Sequence, residues 1–146
     1  MNSRPPFLLS ALVVSIGMGV LLAARPAPHL VWIGTAMGRD GVTLRGDLEM
    51  FAGQADNTTF VEFAVRRDTP GAVRSWRVMR GRCTAPLGAF VDPRSFPRLR
   101  IGQDGKGVGS VTLAVALPDT GDFHVVVAAS PTAPRVLACG DLVLDD

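Results

Sequence analysis

Apolar and polar residues alternate along most of this chain, and the alternation is interrupted at regular intervals by turn residues. Val42 to Met50 carries it most cleanly, with Val42, Leu44, Leu48 and Met50 on one side and Thr43, Arg45, Asp47 and Glu49 on the other. A period of two held over nine residues cannot lie on one face of a helix, so it predicts a half-buried strand. Thr58 to Val65 repeats the pattern with Val61, Phe63 and Val65 inward, and Val111, Leu113, Val115 and Leu117 repeat it again. His29–Met37, Val73–Arg80, Phe123–Ala129 and Arg135–Leu144 are rich in β-branched and aromatic residues and read as further strands. Asp40-Gly41 predicts a hairpin turn, and Pro70-Gly71 sits where a type II turn needs those residues. Residues 84–107 are the least regular; only Phe90-Val91 and Leu99–Ile101 suggest short pairing there. The glycine run from Gly102 to Gly107 precedes no helix and has no Ser or Thr after Lys106, so it reads as a turn and not as a phosphate loop. About eight short strands at this spacing predict an all-β fold, an antiparallel Greek-key sandwich or flattened barrel.

The first residues depart from this pattern. Phe7 to Ala24 is an uncharged apolar run of 18 residues behind Arg4. Its length lies between a cleaved signal core of about 7–15 residues and a spanning helix of about 20, so it predicts export by a signal sequence or a retained membrane anchor. Pro5-Pro6 and Arg25-Pro26 isolate the run from the rest of the chain. The expected organisation is therefore a leader at 1–24 and one exported domain at 25–146, since a chain of 146 residues leaves room for no second one.

Without the leader the chain carries 14 basic and 13 acidic residues, Arg4 being the one basic residue removed from 15. Near-neutral charge and export together disfavour nucleic acid as a partner. The charge is uneven, however: nine arginines stand between Arg66 and Arg100 against Asp68 and Asp92. Such a block either contacts an acidic ligand or a membrane surface or decorates solvent-facing strand positions. Neither a Ser/His/Asp arrangement in motif context nor a set of paired carboxylates marks an enzyme.

Only two cysteines are present, Cys83 and Cys139. In an exported chain they predict one disulfide. Their surroundings, Arg77-Val-Met79-Arg80-Gly81-Arg82-Cys83 and Ala138-Cys139-Gly140-Asp141, resemble segments of bacterial proteins related to copper,zinc superoxide dismutase and to chordin-type (CHRD) domains. There the first segment reads H-x-H-x-G-x-C, and a later strand, matched here by Phe123–Ser130, supplies a further histidine. The resemblance implies the same β-sandwich scaffold, in a bacterial periplasm or cell envelope, and places the family's copper positions on Arg77, Met79 and Ala128. Arginine keeps its proton and alanine has no donor atom, and one thioether is not a metal site. The remaining histidines, His29 and His124, do not restore a ligand set. No cofactor is therefore expected. The reading is a non-catalytic binding or structural domain, with an anion site at Arg77, Arg80 and Arg82; the alternative is a metal-binding or superoxide dismutase-type protein.

Overall fold

The computed structural model describes residues 29–145, so the helix expected for the apolar stretch 7–24 lies outside the described residues. The chain runs through β1 (Val31–Gly38), β2 (Arg45–Ala52), β3 (Thr59–Arg66), β4 (Val73–Arg82), β5 (Ala85–Ala89), β6 (Leu99–Arg100), β7 (Gly107–Leu113), β8 (Phe123–Ala128) and β9 (Val136–Asp145). The strands are hydrogen-bonded in the order β5-β4-β8-β9-β1-β2-β3-β7, all antiparallel, and β6 pairs with the start of β4. The β8–β9 hairpin is thus inserted between β4 and β1, which makes the connectivity a Greek key. The fold is the all-β antiparallel sheet, curled toward a barrel, that the alternation predicts.

The inward positions are those of the sequence pattern. Leu44, Leu48 and Met50 from β2 and the preceding turn face Val61, Phe63 and Val65 from β3, all nearly inaccessible. From the other half come Trp76, Val78, Val125 and Val127. Trp76 stacks on Phe63 at 5.4 Å between ring centres and meets the edge of Phe96 at 5.1 Å; such pairs add about 0.5–1.5 kcal/mol each beyond their buried area. Phe90, Phe96, Leu99 and Ile101 belong to the same core. The irregular stretch between β5 and β7 therefore plugs the open side between the two edge strands with apolar side chains.

The turns obey their residues. Asp40 and Gly41 both have positive φ, with Val42 N–H donating to Arg39 C=O at 2.9 Å. Ala72 N–H donates to Thr69 C=O across Pro70-Gly71. Two elements differ from expectation: β7 ends at Leu113, short of Val115 and Leu117, and pairing after Cys83 lies at Ala85–Ala89, ahead of Phe90-Val91. All five β5 residues are exposed, and Pro86 among them is tolerated because β5 is the sheet's outer edge.

Candidate functional site

The two cysteine segments, distant in sequence, meet in one clamp. Gly81 ends the regular part of β4 with φ +84°, and a β-carbon there would lie 2.4 Å from Ala85 C=O, so only glycine makes this corner. Four bonds hold it. Gly81 N–H donates to Asp122 C=O at 2.8 Å. His124 Nδ1 lies 2.7 Å from Gly81 C=O and, facing an acceptor, carries the proton. Cys83 N–H donates to Asp141 Oδ1 at 2.6 Å, and Cys83 is bonded to Cys139. Asp141 of the Ala-Cys-Gly-Asp segment thus caps the backbone of the other segment while its neighbour supplies the disulfide. The tight antiparallel pairing of β8 between β4 and β9 brings these groups together.

The outer face of β4, β8 and β9 is where the resemblance places the metal positions. Met79, His124 and Asp141 form one cross-strand row, and Arg77, Val126 and Cys139 the next. Ala128 stands opposite Ser75. Arg77 Nε donates to Met79 Sδ at 3.2 Å, so the two β4 positions are tied to each other. These residues do not fit a metal: Arg77 has no lone pair to give, Ala128 has no donor atom, and the Met79 sulfur faces a cation. Among the described residues, no three His, Cys, Asp or Glu side chains gather elsewhere. His29 is exposed at the start of β1 and lies apart from His124. His124, 2% exposed, is the packing histidine of the Gly81 corner.

Trp76 is not part of this face. Alternation turns it inward against Phe63 and Phe96.

The three arginines proposed from sequence part company. Arg77 and Arg80, three apart on a strand, project from opposite faces, and Arg82 pairs with Asp122 at 3.1 Å in the open. Arg77 instead lines a cleft of about 420 Å³ with Arg94 and Arg98, walled by Phe96, Pro97 and Pro131. Arg94 is also bonded to Asp92, whose carboxyl it holds down at about 2 by hydrogen bonding. Sequence reasoning missed Arg94 and Arg98 as Arg77's companions because the 3-10 turn at Pro93–Ser95 folds back beside β4.

The arginine block is broken up in the same way. Arg66 pairs with Asp47 and Arg74 with Asp68, whose hydrogen bond holds the Arg74 guanidinium above its usual range. No protein-family model matches the chain, and no curated protein matches it.

Proposed function

We propose that residues 25–146 are a non-catalytic, exported β-barrel on a superoxide dismutase-like scaffold, and that its role in the cell envelope is to bind an acidic ligand at Arg77. One observation carries this reading: at the family's metal positions stand a guanidinium and a thioether bonded to each other, beside a cleft shared with Arg94 and Arg98. A cleft of that size with a cationic floor and apolar walls suits a carboxylate or phosphate attached to a small apolar body. The test is binding of a fluorescent oligoglutamate to the full-length chain in neutral detergent at rising salt. Arg77→Glu abolishes salt-sensitive binding and Arg82→Glu preserves it. Equal binding by wild type and Arg77→Glu removes the reading.

A metal-binding reading has one observation in its favour. Met79 and His124 are direct cross-strand partners, a soft thioether and an imidazole of the kind copper(I) accepts. Elemental analysis after incubation with copper and zinc, run with a superoxide assay, separates the two. Stoichiometric metal that survives desalting in the wild type and is lost in a Met79→Leu/His124→Ala variant supports the copper reading; metal-free protein supports the first.

A further inference from the structure

The strands are antiparallel, so the connections fall at two ends, and only one of them carries basic residues. At the end where β1 begins, the connections 53–58 and 114–122 carry Asp56, Asp119 and Asp122 and no basic residue. At the other end, the β1–β2, β3–β4, β6–β7 and β8–β9 connections carry Arg39, Arg67, Lys106 and Arg135 together with Asp40, Asp68 and Asp104. A cleft of about 390 Å³ opens at this second end, where the β1–β2, β3–β4 and β8–β9 connections converge. Arg67, Arg74 and Arg135 line it, together with Thr43, Asp68 and Thr69.

Its one carboxylate is already used. Asp68, 3% exposed, accepts from Arg74 Nε at 2.8 Å, from Arg74 Nη2 at 2.7 Å and from Thr69 N–H at 2.7 Å. The third Arg74 nitrogen, Nη1, donates to Ala129 C=O at 2.8 Å. The cleft floor is therefore neutral and satisfied, whereas Arg67 and Arg135 have no acidic partner within 4.0 Å among the described residues. Arg67 also adopts φ +60°, a conformation a non-glycine residue keeps only where its surroundings hold it. Thr43 Oγ1 donates to Arg67 C=O at 3.0 Å and ties the two turns across the cleft.

We infer that this cleft is a binding site for a soluble phosphate-type oxyanion, held by Arg67 and Arg135 over the neutral Asp68–Arg74 pair. Two guanidinia with uncommitted donors, over a floor that adds no repelling charge, are the chemistry such an anion requires. The cleft is reached from His29 only by the full length of β1, roughly 25 Å at strand rise, so it faces away from the point where the apolar leader joins. Where the leader is kept as a membrane anchor, that placement favours a dissolved anion over a lipid headgroup. The site shares no residue with the Arg77 cleft and stands or falls separately.

The experiment titrates inorganic phosphate into the full-length chain in neutral detergent by calorimetry, with a second arm of phosphatidylcholine vesicles containing phosphatidate. Arg67→Asn, which retains tolerance for positive φ, and Arg135→Gln, on an exposed connection, are compared with Arg100→Gln, an exposed position that lines neither cleft, as control. The expected result is saturable phosphate binding, weakened about tenfold or more by each of the first two changes and unaltered by Arg100→Gln. Circular dichroism melting checks that each variant is folded. Absence of saturable heat in the wild type overturns the proposal, as does equal affinity in a folded Arg135→Gln variant. Vesicle binding that depends on Arg135 without phosphate binding overturns the assignment to a dissolved anion.

Discussion

Replacing Asp68 by leucine tests the most buried ion pair of the structure. The Asp68 side chain is 3% exposed and the Arg74 side chain 15%. Loss of the carboxylate leaves Arg74 with the Ala129 carbonyl as its remaining bond and strands a largely desolvated cation. Breaking such a pair from one side costs about 3–5 kcal/mol, whereas replacing both members by apolar residues of similar volume is often close to neutral. Asp68→Leu should therefore lower stability by about 4 kcal/mol, Arg74→Met by a similar amount, and the two together by less than either alone. In a domain of this size 1 kcal/mol moves the thermal midpoint by roughly 3–5 °C, so each single variant should melt roughly 12–20 °C below the wild type. Melting curves of the four proteins, recorded by circular dichroism in one buffer, give the cycle. If the two losses simply add to within about 0.5 kcal/mol, neither single change strands an uncompensated charge, and the neutral floor of the cleft loses its support.

Three further outcomes rest on named contacts. Converting Cys83 and Cys139 together to serine opens a loop of 56 positions; the chain-entropy relation gives a loss of about 4 kcal/mol, read as a lower urea midpoint that reductant no longer shifts. Gly140→Ala would place a β-carbon 2.1 Å from the Thr35 carbonyl oxygen in the neighbouring strand; no side-chain rotation relieves this, so the variant should lose about 2 kcal/mol or more, and a melting point within 2 °C of wild type, a shift of well under 1 kcal/mol, would contradict the close approach of β9 to β1. Asp47 is held below its usual range chiefly by its hydrogen bond from Arg66, with a smaller one from Thr35. Because the folded value is depressed, the contribution of Asp47 is complete above about pH 4, its unfolded value, and fades as pH falls further. Both side chains are nearly half exposed, so the difference between wild type and Asp47→Asn should be under 1 kcal/mol at neutral pH and shrink in urea melts at progressively lower pH; a difference that grows on acidification would reverse the sign.

Much of the scaffold was legible because it depends on neighbours in the chain. Alternation in β2 and β3 set which residues face the core, since a pleated strand sends successive side chains to opposite sides whatever it pairs with. The Asp40-Gly41 and Pro70-Gly71 turns were legible because the backbone preference lies in those residues themselves. Strand β5 was not: Ala-Pro-Leu-Gly-Ala has no alternation, and it is a strand only because the corner at Gly81 delivers it to the edge of β4.

Charge shows the opposite limit. Along the chain, Arg66 to Arg100 is a single basic block. In the fold Arg66 meets Asp47, Arg74 meets Asp68, Arg82 meets Asp122 and Arg94 meets Asp92, while Arg77 and Arg67 go to different clefts. The partner of Arg82 is 40 positions away, and Arg135 reaches the Arg67 cleft from a separate hairpin. The sequence alone determined the strand type, the inward faces and the turns, because these are properties of residues and their immediate spacing. Which arginines are neutralised, which remain free and which stand together was decided only by the tertiary structure. Electrostatic and hydrogen-bond partners are set by distance in space, and the Greek-key path brings together groups that the chain keeps far apart.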